Sequence, residues 1–176
     1  MPVSPEAVLQ DHEGRMVLRF ERHLSHPPER VWRSLTEADE LKAWHPTPPQ
    51  FELELGGAVR FTDSLIEFPD GEVTELDPPR TLAYTWGEDH LRWELEAQDD
   101  GCVLVLLHTF DDRFKAARDA AGWDICLDSL VSLLDGHPAP PSKDPTAPPQ
   151  RWRQLNSAYE ERFGIPPEKA TPAPGR

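Results

Sequence analysis

A chain of 176 residues can bury one full core, and its formal net charge of -14 makes it ill suited to nucleic acid, whose phosphates call for clustered lysine and arginine. The charge is uneven: 6 basic and 4 acidic residues follow residue 136, leaving about -16 on residues 1–136, a body that anionic membrane surfaces repel. No apolar run reaches spanning length, the N-terminus lacks a signal peptide's basic and apolar regions, and Cys102 and Cys126 lie apart in apolar contexts, so a cytoplasmic setting is expected.

The first predicted strand is RMVLRFERHL (15–24), with Leu18, Phe20 and Arg22 on one face. A helix follows in SHPPERVWRSL, capped by Ser25 or His26 and carrying Val31, Trp32 and Leu35 on one side. Thr36 then caps a second short helix, with Asp39 in the capping-box position and Ala38, Leu41 and Trp44 at apolar spacing. HPTPP (45–49) breaks it.

From there the punctuation is strand-like. FELEL (51–55), AVRFTD after Gly56-Gly57, LIEF (65–68) and EVTEL after PDG are read as short strands. Three longer ones follow, carrying Leu82, Tyr84 and Trp86, then Leu91, Trp93 and Leu95, then Leu104, Leu106, His108 and Phe110 on matching faces. Asp99-Asp100-Gly101 marks a hairpin between the last two, and the tight turns argue for an antiparallel meander. The long helix is capped by Asp111 or Asp112 and runs to about Asp135, where Gly136 and Pro138 stop it. Its apolar stripe is Trp123, Leu127, Leu130 and Leu134, and Asp124, Asp128 and Asp135 are expected in water.

Residues 137–149 read as a proline-rich linker, 150–164 as an appended amphipathic helix with Trp152, Leu155, Tyr159 and Phe163, and 165–176 as a loose tail. The apolar side of that helix must be covered, either by docking on its own domain, the preferred reading, or by a homodimer.

The order of elements implies an α+β domain of residues 1–136, a curved antiparallel sheet around a long C-terminal helix with two short helices after the first strand. HPPERVWRSLTEADELKAW (26–44), GGAVRF (56–61), PPRTLAYTW (78–86), GCVLVLLHTF (101–110) and AGWDICLDSLVSLLDG (121–136) occur in an order that resembles the START-like, birch-pollen-allergen-related superfamily (SRPBCC). Within it, they are similar to the bacterial branch akin to the ATPase activator of the ninety-kilodalton heat-shock chaperone. The resemblance implies the helix-grip fold, with a cavity between sheet and helix, and a chaperone as one partner class. It assigns nothing to the segment after residue 136.

Trp44, Phe61, Tyr84, Trp86, Trp93, Leu106, His108, Phe110, Trp123 and Leu127 are therefore the candidate wall of a site for a small apolar or aromatic molecule. The alternative is that they only fill the interior. His108, alone among apolar neighbours, either hydrogen-bonds nearby backbone, the preferred reading, or orients a ligand or moves a proton. His45 is expected at the surface. No metal site, nucleotide loop or nucleophile elbow is recognised: His23 and His26 form only H-x-x-H, and the aspartates lack EF-hand spacing. No cofactor or catalytic residue is assigned.

Overall fold

The computed structural model describes residues 6–61, 69–139 and 149–167. Its chain order is β1 (Val8–His12), β2 (Arg15–Leu24), α1 (Pro28–Thr36), α2 (Ala38–Leu41), β3 (Pro49–Phe51), β4 (Ala58–Phe61), β5 (Gly71–Asp77), β6 (Thr81–Trp86), β7 (Asp89–Gln98), β8 (Gly101–Phe110), a 3-10 turn (Arg113–Lys115), α3 (Ala116–Leu134) and α4 (Gln150–Phe163). The strands form one antiparallel sheet in the order β1-β2-β8-β7-β6-β5-β4-β3. This is the expected α+β helix-grip arrangement.

Register shows why alternation in the sequence was informative. Leu18, His108, Leu91 and Tyr84 align across β2, β8, β7 and β6, as do Phe20, Leu106, Trp93 and Leu82 in the next row. One face of the sheet therefore collects these apolar side chains, and α3 covers it through Trp123, Leu127, Leu130 and Leu134, all buried. The β7–β8 turn at Asp99-Asp100 tolerates no side chain at Gly101, where a Cβ would stand 2.0 Å from the Leu24 carbonyl oxygen.

The ends of elements depart from expectation. A strand, Val8–His12, precedes 15–24 and pairs with it, turning at Glu13-Gly14, so the short helices follow the second strand of the chain. Pro27, not Ser25 or His26, is the N-cap of α1, and Glu37 rather than Thr36 is the N-cap of α2. The Thr36 hydroxyl instead donates to the Trp32 carbonyl at 2.9 Å, the local bond that a helical threonine makes when it does not cap. FELEL is a strand only up to Phe51. The chain then folds back on itself, with Glu54 N donating to Glu52 O and Gly57 N to Glu54 O, and Leu53 and Leu55 are exposed. Asp112 does cap, but its carboxylate receives Phe114 N in the 3-10 turn, and α3 proper begins at Ala116. LIEF, most of the linker and most of the tail lie outside the described residues.

The largest correction concerns Asp124. It is 2% exposed, bound by Arg22 Nη2 at 2.7 Å and by the Tyr159 hydroxyl. Arg22 shares the parity of Leu18 and Phe20, so it points inward and needs a buried anion, which α3 supplies. Arg22 also reaches Glu6 at 2.5 Å, and the Tyr159 oxygen accepts from Glu6 N and Ala7 N at 3.0 and 2.9 Å. These contacts dock α4 on its own domain, with Leu155, Tyr159 and Phe163 buried. A dimer through this helix would need the same apolar face.

Candidate functional site

A cavity of about 500 Å³ opens where α3 begins, the size of small-molecule sites. Its wall comes from the loop after α2 (His45, Pro46), the β6–β7 turn with its flanks (Trp86 to Asp89), His108 on β8, and α3. Lys115, which caps α3 at the end of the 3-10 turn, and Asp119 and Trp123 on the helix recur every fourth residue and so share one face, with Gly122 and Cys126 beside them. Gly122 has open space where a side chain would stand, since a Cβ there meets nothing within 4 Å.

Aromatic rings make the deep side. The His45 ring lies 5.2 Å from Trp44, 5.9 Å from Trp86 and 5.9 Å edge-on from Trp123. Trp123 also meets Trp93 edge-on at 5.7 Å, and Phe61 stacks on Trp86 at 4.6 Å. Three of the ten candidate wall residues, Trp86, His108 and Trp123, line the cavity. The other seven stand behind or beside it: Trp44, Tyr84, Trp93, Leu106, Phe110 and Leu127 are buried in the core, and Phe61 is half-buried against Trp86.

The polar rim is a directed chain of hydrogen bonds. An indole N–H can only donate, so Trp123 Nε1 at 3.0 Å from His108 Nδ1 fixes the imidazole with its proton on Nε2. That Nε2–H donates to Asp89 Oδ2 at 2.8 Å, and Lys115 Nζ donates to the same oxygen at 2.5 Å. Lys115 lies 3.4 Å from Asp119 as well. Burial would raise the Asp89 carboxyl, but the His108 N–H and the Lys115 ammonium outweigh it and hold the group below the ordinary carboxylate range. His108 thus spends both nitrogens on side chains, not on backbone as expected.

Asp89, His108 and Asp119 bring three potential metal-ligand atoms within 4.8 Å of one another. The Lys115 ammonium already supplies positive charge between the two carboxylates, and the imidazole offers Asp89 its proton-bearing nitrogen. A cation there would have to displace one and deprotonate or turn the other.

His45 is not at the surface. It is 2% exposed, and burial lowers its pKa to about 3, so the ring is neutral. Thr47 N donates to its Nδ1 at 3.1 Å, while Nε2 has no hydrogen-bond partner among the described residues. Cys126 is a buried free thiol pushed up to about 12 by desolvation, hence a weak nucleophile.

Sequence reasoning missed His45, Asp89, Lys115 and Asp119. Two of the signals were present. The inward series Leu95, Trp93, Leu91 continues to Asp89, and the helical face of Trp123 steps back to Asp119 and Lys115.

The family model described as Activator of Hsp90 ATPase homolog 1-like protein matches residues 25–135. Among solved structures, the chain is similar to a conserved protein of unknown function, EF2215 from Enterococcus faecalis, with 26% identity over 90% of each chain and a TM-score of 0.72. It also resembles MLL2253 from Mesorhizobium loti, with 26% identity over 68% of this chain and 97% of that one, TM-score 0.61. CalU16 from Micromonospora echinospora shares the fold, with TM-score 0.70, 19% identity, and coverage of 90% of this chain and 95% of that one. No curated protein sequence matches the chain. Among the described residues, no helix is long and apolar enough to cross a membrane.

Proposed function

The chain belongs to the Activator of Hsp90 ATPase homolog 1-like family, and from that premise we propose that it binds a small, predominantly apolar or aromatic molecule in the cavity between the sheet and α3. The observation that carries this reading is an opening of about 500 Å³ walled by Trp86, Trp123 and His45, between the sheet and α3. Covering roughly 300 Å² of apolar ligand surface at about 25 cal/mol/Å² yields about 7 kcal/mol before association costs, which points to micromolar or weaker affinity. A cytosolic location belongs to the same proposal and suits the buried free thiols Cys102 and Cys126.

Binding suits this geometry better than proton transfer. His108, the obvious base, already accepts from Trp123 and donates to Asp89, so its role is to hold the indole edge and the rim in place. Intrinsic tryptophan fluorescence tests the proposal, because Trp86 and Trp123 line the site. A panel of small aromatic and apolar compounds should produce saturable quenching that Trp123→Ala weakens. Failure of the whole panel to saturate would refute it.

Family membership favours a second reading, a co-chaperone-like interaction module. It predicts that the purified chain stimulates the ATPase of a ninety-kilodalton heat-shock chaperone, with charge reversals on the acidic body abolishing the effect. An unchanged ATPase rate would remove that reading.

A further inference from the structure

His45 sharpens the proposed binding site into a statement about ligand chemistry. Its ring is buried, walled by Trp44, Trp86 and Trp123, and lines the cavity. A backbone N–H can only donate, so the 3.1 Å bond from Thr47 N leaves Nδ1 as the acceptor. The neutral ring then carries its proton on Nε2. That nitrogen is buried and has no hydrogen-bond partner among the described residues. A buried donor without an acceptor is costly, and a guest that brings one removes the cost.

We infer that the cavity selects planar aromatic molecules bearing a carbonyl-type oxygen, which accepts from His45 Nε2–H while the ring system lies among the tryptophans. This inference rests on the cavity reading above. A phenol or amine offering only its proton finds no acceptor at Nε2. A carboxylate is not favoured either: the rim holds Glu88, Asp89 and Asp119 against Lys115 and Arg118, and Lys115 is already shared between two of the acids. A neutral ketone or quinone oxygen meets the donor without adding charge to an acidic wall.

Fluorenone and fluorene, nearly isosteric tricycles with and without the carbonyl, are the probes. Titrated into the full chain, fluorenone should bind about tenfold more tightly, the scale of one relieved buried donor. His45→Phe should erase that preference by weakening fluorenone alone. Because the variant could perturb packing, the unmodified protein provides a second readout. In ¹⁵N NMR of the imidazole, His45 should appear as the Nε2–H form, and fluorenone, not fluorene, should shift its Nε2–H resonance. Equal affinity for both probes, an Nδ1–H form, or an unmoved resonance in the fluorenone complex would overturn the inference and leave the cavity reading standing. If neither probe saturates, the cavity reading and the inference fall together.

Discussion

His45 and Asp124 are both buried titratable groups, yet they respond to acid in opposite directions. Burial holds His45 down to about 3, whereas an unfolded histidine protonates near 6.5. The unfolded state therefore binds more protons as pH falls through 6.5, and stability drops, by about 3 kcal/mol between pH 6.5 and 4. For Asp124, desolvation raises the group to about 6, against the pull of Tyr159 and Arg22. Its folded state keeps a proton that the unfolded chain releases near 4, so this contribution is complete below about pH 4 and is lost as pH rises through about 6. Urea melts across this range should show His45→Phe losing about 3 kcal/mol less on acidification than the parent protein. Asp124→Asn should lose more than the parent over pH 6 to 4. Curves parallel to the parent's would contradict both assignments. Neither group was legible as buried in the sequence. His45 follows a tryptophan at a proline-rich break, which reads as a surface loop, and only tertiary closure by Trp86 and Trp123 covers it. Asp124 differs, since Arg22 on an apolar parity already demanded a partner that the helix pattern alone could not name.

Among the elements, α3 and α4 each carry one prediction. Gly122 sits inside α3 with open space beside it, so Gly122→Ala should stabilise the protein by about 1 kcal/mol, the helix-interior difference between these residues. Thermal or chemical denaturation measures this, and destabilisation would mean the space is not free. In α4, the Tyr159 hydroxyl donates to Asp124 and accepts from Glu6 N and Ala7 N. Tyr159→Phe leaves all three groups short of a partner and should cost about 2 kcal/mol. Hydrogen exchange should accelerate at the Glu6 and Ala7 amides and in α4, while β7 and β8 keep their protection. Strand parity and the seam Leu127, Leu130 and Leu134 could be read directly, because periods of 2 and 3.6 are imposed by backbone geometry. Caps could not, since Pro27 and Glu37 hold those positions with no side-chain capping bond. The strand Val8–His12 has no apolar alternation and exists through pairing with β2.

At the scale of the molecule, the sheet and α3 are packed along the leucine seam and part where the helix begins. Five short words of sequence in the right order were enough for this architecture, as the match over residues 25–135 confirms. The position of the opening was not legible, because it depends on which of many inward aromatics touch one another. Trp44, Trp93 and Tyr84 turned out to be core, whereas Trp86 and Trp123 border the space. The central claim is that this space receives a guest. Gly122→Leu addresses it most directly, since it places a side chain in the opening without removing a contact. Titrating fluorenone into both proteins by tryptophan fluorescence should give saturable quenching in the parent. In Gly122→Leu, with an unfolding temperature no lower than the parent's, affinity should be at least about tenfold weaker, the loss of roughly 1.4 kcal/mol of contact. Equal affinity in the two proteins, or no saturation in the parent, would contradict the account.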